Sequence, residues 1–135
     1  MNNKIVYVTT KEVREIKEKA IQDKDVFLAE IKGAEIETEE EYVKAMANAF
    51  FFPNNFHSMK MGWFRDYICD LMWIEQKEII VVIRDYELML VNETKTKEII
   101  MDDFEEIILP WWEGEVVGHM VGVGPRKFSI YLEKN

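Results

Sequence analysis

Cysteine is almost absent. Cys69 is the single one in 135 residues, so no internal disulfide can form and a secreted disulfide scaffold is excluded. Histidine is scarce too: His57 and His119 stand apart, with no cysteine or histidine at ligand spacing, and offer no metal site. No apolar run approaches the roughly 18–20 residues that a membrane span needs. The N-terminal MNNKIVYVTTKEV likewise has no apolar stretch of signal-peptide length before charges begin. Basic charge is in short supply, with 17 Lys and Arg against 26 Asp and Glu and a formal net charge of -9. Nucleic acid binding rests mainly on neutralising phosphates, so this balance argues against a nucleic-acid partner and for a cationic one. The expectation is a cytoplasmic protein in a reducing compartment, with no cofactor, no metal and no membrane partner.

Apolar material, by contrast, is plentiful. Hydrophobic residues make up 48% and aromatics 13%, enough for one ordinary core in a chain of single-domain length. Lys4 to Val8 (KIVYV) reads as a short strand, followed by a helix capped at Thr9 or Thr10 with Val13, Ile16 and Ala20 on its apolar stripe. Asp25 to Ile31 is a second strand ending at Lys32-Gly33. Thr38 and Glu41 form a capping box that opens a helix with Tyr42, Met46 and Ala49 on one side. Pro53-Asn54-Asn55 breaks it, and the next helix is predicted from about Ser58 to Trp73.

Glu78 to Arg84 (EIIVVIR) is almost continuously apolar, as in a parallel strand covered on both faces. Asp85 to Val91 reads as a short helix. Lys97 to Leu109 reads as a longer one stopped by Pro110. The glycine-containing stretch Glu113 to Arg126 reads as loop, and Phe128 to Glu133 as a closing strand. Strands separated by helices predict an α/β domain with a small parallel sheet and crossover helices.

A search for catalytic groups yields little. Cys69 lies between Ile68 and Asp70, where a lone thiol is usually packing and nearby carboxylates oppose thiolate formation. VGVGPRK precedes a strand rather than a helix and is no dinucleotide fingerprint. Asp66 and Asp70, four residues apart, fit a solvated helix face, or one presented to a basic partner, better than a catalytic dyad; a hydrolase using His57 or His119 with Asp66 is the enzymatic alternative.

The negative charge is concentrated. Between Glu98 and Glu115 stand Glu98, Asp102, Asp103, Glu105, Glu106, Glu113 and Glu115, with no Lys or Arg. Like charges at i, i+3 and i, i+4 destabilise an isolated helix, so this face is a candidate for binding something positive. On the predicted helix over 58–73, Met61, Phe64, Ile68, Leu71 and Met72 form a core stripe. Trp63, Asp66, Tyr67 and Asp70 form a second stripe of rings and carboxylates beside it. The second stripe reads equally as a packed layer or as a protein–protein anchor.

The order of strand, Gly33, capped helix, Phe-x-Pro, an aromatic and then FRDYICDLMWI resembles the barstar family of intracellular ribonuclease inhibitors. EIIVVIRDYELML and FSIYLEK resemble its later elements, and the likeness spans about residues 26–134. The resemblance implies a three-stranded parallel sheet in a domain over 26–135, with residues 1–25 as a strand-helix extension packed on it. Phe52 and Pro53 match the family's turn, Phe56 its aromatic, and Asp66 the acid at the centre of its ribonuclease-binding helix. Asp70-Leu71 and Trp73 match its Asp-Leu and Trp, and Ile68 the leucine after its cysteine. Arg65 falls at a contact position, Tyr67 where the family has its cysteine, and Gly62 where it has the first of two acids.

What the resemblance implies is a non-enzymatic inhibitor that places an acidic helix into a basic ribonuclease, as the immunity partner of a toxin would. Its partner-binding residues would be Asp66, Asp70, Phe56, Trp63, Arg65, Tyr67, Glu105 and Glu106. The alternative is a non-inhibitory acidic interaction module on the same fold.

Overall fold

The structure, a computed structural model, describes residues 3–53 and 60–135. Among these residues four strands form one parallel sheet: β1 (Lys4–Val8), β2 (Val26–Lys32), β3 (Glu78–Arg84) and β4 (Lys127–Glu133), in the order β1-β4-β3-β2. Helix α1 (Thr10–Gln22) connects β1 to β2. Helices α2 (Glu39–Ala49) and α3 (Met61–Ile68) lie between β2 and β3. Between β3 and β4 the chain forms α4 (Thr94–Asp103), a π-helical turn (Phe104–Ile108) and α5 (Leu109–Glu113). The three-stranded expectation is therefore corrected to four strands. KIVYV pairs with β4 from Lys4↔Ser129 to Val8↔Glu133, a partner at the other end of the chain that local patterning cannot reveal.

Connection handedness explains the layers. The path β2, β3, β4 steps one way across the sheet, whereas β1 to β2 crosses back over its full width. Right-handed crossovers therefore put α2 to α5 on one face and α1 on the other. On the first face Ile79, Val81 and Ile83 of β3 meet Phe64, Phe104 and Trp112 in the main core. On the second, Ile80 and Val82 meet Val13 and Ala20 of α1. Ile79 to Ile83 form an unbroken apolar and buried run because both faces of β3 are covered, as predicted.

Local rules account for most boundaries. The Thr38–Glu41 capping box is formed, with the Glu41 amide donating to Thr38 Oγ1 at 3.1 Å. Helix α1 is capped by Thr9, whose hydroxyl accepts from the Glu12 amide at 3.1 Å while Glu12 Oε1 accepts from the Thr9 amide at 3.0 Å. Gly33 follows β2 where a Cβ would sit 2.6 Å from the carbonyl oxygens of both Arg84 and Asp85, so only glycine permits this approach. The helix expected over Asp85 to Val91 is reduced to a single 3-10 turn, Tyr86–Leu88.

Two helix ends differ from expectation. Pro110 does not stop the helix before it. In the π-helical turn the Leu109 amide donates to the Phe104 carbonyl, and Pro110 then falls in the first turn of α5, where its missing N–H is not needed. Helix α3 ends at Ile68 rather than Trp73, and carbonyls at its end and in the turn beyond accept from distant donors. Trp112 Nε1 donates to the Ile68 carbonyl at 2.9 Å, Arg126 Nη2 donates to the Leu71 carbonyl at 2.9 Å, and Leu71 turns into the left-handed region at φ 48°. Ser58, where that helix was expected to begin, lies outside the described residues.

Candidate functional surface around helix α3

Helix α3 carries MGWFRDYI with Met61, Phe64 and Ile68 buried, so Gly62, Trp63 and Asp66 turn to solvent. Trp63 is 66% exposed, a large ring left uncovered on an otherwise anchored element. The anchoring is aromatic. Phe52 packs on Phe64, Tyr67 and Trp73 with ring centroids 5.9, 5.4 and 5.7 Å away, and Trp73 Nε1 donates to the Phe50 carbonyl at 2.8 Å. The turn at Phe52-Pro53 and the α3 helix are thus one packed unit.

The eight residues singled out from the sequence fall into different environments. Asp66 and Trp63 share the exposed side of α3. Tyr67 is half-buried in the Phe52–Trp73 cluster, so much of its ring is packing. Asp70 does not continue the helical stripe: it lies in the turn beyond α3, with Oδ1 buried. Its charge acts on Arg126, whose guanidinium burial lowers below the usual value while Asp70 pulls it back up. Arg65 is not a free cation, because its Nε lies 2.8 Å from Oδ2 of Asp103, a side chain only 9% exposed. Phe56 lies outside the described residues, as does His57.

The long acidic segment is divided by its helix. Asp103 turns to α3, whereas Glu105 lines a groove against β1 with Ile5 and Tyr7. Glu106 is exposed on the same turn. The expected grouping of Glu105 with Asp66 is therefore not what the fold brings together. Glu115, which was not singled out, acts on the end of α3: burial pushes the Cys69 thiol up to about 12, and the charges of Asp66, Glu115 and Asp103 push it the same way. Burial and these negative charges together oppose formation of a Cys69 thiolate. Glu115 stands 49 positions after Asp66, and only the acidity of its segment pointed to it.

Chemically this surface can present negative charge and an aromatic ring. Among the described residues no cluster of three His, Cys, Asp or Glu could hold a metal, and no helix is long and apolar enough to cross a membrane. His119 stacks on Trp111 at 5.5 Å.

A family model described as Barstar (barnase inhibitor) matches residues 26–121, which include α2, α3, β3 and the acidic helices. The chain belongs to the barstar family. The matched span leaves out β1, α1 and β4, so part of this sheet lies beyond the family segment. A search of curated proteins finds no match. Among solved structures, one titled "Structure of the Aeropyrum Pernix ORC2 protein (ADPNP-ADP complexes)" superposes with a TM-score of 0.60 at 12% identity, over 98% of this chain and 34% of that one. The chain thus spans about a third of that protein, and the likeness concerns the fold alone.

Proposed function

We propose that this barstar-family chain is an inhibitor without catalysis of its own, which binds a basic ribonuclease through the exposed side of α3 and covers its active site. The observation that carries the reading is the family match across α3, where Asp66 and the uncovered Trp63 stand together on a rigidly packed helix. Asp66 is the central charge and Trp63 the apolar contact. Tyr67 shapes the base of the surface, and the resemblance adds Phe56 as a further apolar contact. Arg65, offset by Asp103, does not oppose a cationic partner as an unpaired arginine would. Asp70, Glu106 and Glu115 add to the negative potential that draws a basic protein in. A single cysteine suits a reducing cytoplasm, and a ribonuclease toxin with this chain as its immunity protein is one pairing of that kind.

The test is inhibition of barnase, and of basic ribonucleases captured at low salt from the source cells, by the purified chain. Asp66→Ala is expected to weaken inhibition by about tenfold or more. Full inhibition by that variant would remove α3 from the interface. The second reading, an acidic module for a basic protein that is not a nuclease, is favoured by Gly62, which stands where the resemblance places an acid. It predicts a salt-sensitive partner without ribonuclease activity.

A further inference from the structure

The outer edge of β1 is an unpaired strand edge among the described residues. Among the described residues β1 pairs on one side only, with β4. The Val8 carbonyl accepts from the Lys134 amide at 2.8 Å, so by alternation Lys4, Val6 and Val8 turn their backbone groups to β4. Ile5 and Tyr7 turn theirs outward. Only Lys4 among the five residues is charged, and neither proline nor a bulge blunts the edge.

Beside this edge, on the first face, runs a groove of about 460 Å³ whose floor includes Ile5, Tyr7 and Tyr86. Tyr7 is 57% exposed and its ring meets Tyr86 edge-on at 5.9 Å. The wall is α4 and the turn after it, which contribute Glu98, Asp102 and Glu105. The groove's one lysine is already engaged: Lys97 Nζ donates to the Tyr86 carbonyl at 2.7 Å and lies 4.1 Å above the Tyr86 ring. Unpaired backbone, an apolar floor and an acidic wall therefore run side by side.

We propose that an extended basic segment of another protein docks here, adding to β1 as a fifth strand and setting lysines or arginines against Glu98, Asp102 and Glu105. Strand addition supplies backbone hydrogen bonds, while alternate side chains enter the groove. Glu98 and Glu105 stand about 10 Å apart along a helix rising ~1.5 Å per residue, and alternate strand residues repeat every ~6.7 Å, so two or three basic side chains find carboxylates. A second copy of this chain is a poor occupant, because it would bring the same acids and its own net charge of -9. The surface is separate from Asp66, so it stands or falls independently of the inhibitor reading.

The test titrates the full chain with a fluorescein-labelled eight-residue peptide of alternating lysine and valine, beside a glutamate–valine counterpart. The basic peptide is expected to bind, more weakly as salt rises, and to protect the Ile5 and Tyr7 amides from hydrogen exchange. The acidic one should not bind. Combining Glu98→Lys, Asp102→Lys and Glu105→Lys should cost tenfold or more in affinity. Tyr7→Pro, which removes an outward N–H, should also weaken binding; where it unfolds the sheet, the triple reversal at exposed helix positions carries the test. Asp66→Ala should bind the peptide as the unaltered chain does. Unchanged exchange at Ile5 and Tyr7, undiminished binding by the triple variant, or sedimentation showing β1 edges paired between two copies would each overturn the proposal.

Discussion

The two faces of the sheet are built from the same strands yet solve different problems. The first face is sealed by α2, α3 and the segments from α4 to α5, with Phe64, Phe104 and Trp112 fully enclosed between them and the strands. The second is covered, among the described elements, by α1, and its apolar patch is built from smaller residues such as Val13, Ala20 and Val82. Where α1 leaves room, charged groups take over: Lys17 and Arg84 bridge to Glu30, and Arg84 Nε lies 3.0 Å from Glu133 Oε2. A thick helical layer leaves its outer sides free for recognition, whereas a single helix must be supplemented by ion pairs at the sheet's end.

The sharpest way to probe this contrast is to empty a position on the first face. Phe64→Ala should cost about 3–5 kcal/mol of unfolding free energy by chemical denaturation, because the Tyr42 and Phe52 rings packed against it cannot close the cavity. On the second face, Val13→Ala should cost about 2 kcal/mol, the smaller side chain leaving a smaller void. A loss as large as that of Phe64 would show that both faces share one cooperative core.

Glu133→Gln tests the ionic supplement. Its side chain is 1% exposed, and Arg84 keeps 34% of its own in water, so the loss should be about 1–2 kcal/mol, below the figure for a fully enclosed pair. Burial tends to raise the Glu133 carboxyl. The Asp85 amide and Arg84 outweigh that effect and hold it below the usual range. Folded, it takes up a proton less readily than unfolded, so its contribution is complete above the ordinary glutamate range and is lost as the pH falls through its lower folded value. The unaltered chain should therefore lose this stability as the pH falls below the ordinary glutamate range, and Glu133→Gln should flatten that part of the stability–pH curve.

The smallest effect belongs to the outer side of the first layer. Asp66→Ala should leave the melting temperature unchanged while weakening partner binding, since Asp66 is exposed on α3. A clear drop in melting temperature would make Asp66 a packing residue and the first face's outside as structural as its inside.

Elements whose signals are local were legible. KIVYV and EIIVVIR occupy the strands expected of them, and Thr38–Glu41 opens α2, because alternation, burial on both faces and capping act within a few residues. The family segment was legible through the Phe-x-Pro turn and the FRDYICDLMWI run. The site was legible only in part. Asp66 and Trp63 fall on one exposed side, but Asp70 leaves it, since the helical period holds only while the helix lasts. The pairing of Arg65 with Asp103 and the turning of Glu105 toward β1 depend on where α4 packs, which no spacing encodes.

By itself the sequence determined the composition of the parts: an acidic α/β chain of barstar type, its main strands, its caps and the acid at the centre of α3. These follow from backbone geometry and hydrophobic periodicity, which act over a turn or a pleat. Only the tertiary structure decided that β1 joins β4, that Trp112 and Arg126 donate to carbonyls at the end of α3 and in the turn beyond, that Arg65 is neutralised, and that the acids after Glu98 are shared between two surfaces. Each of these is a contact between residues far apart in the chain. Its partner is chosen by the handedness of the connections and the packing of the core, and no local pattern carries that choice.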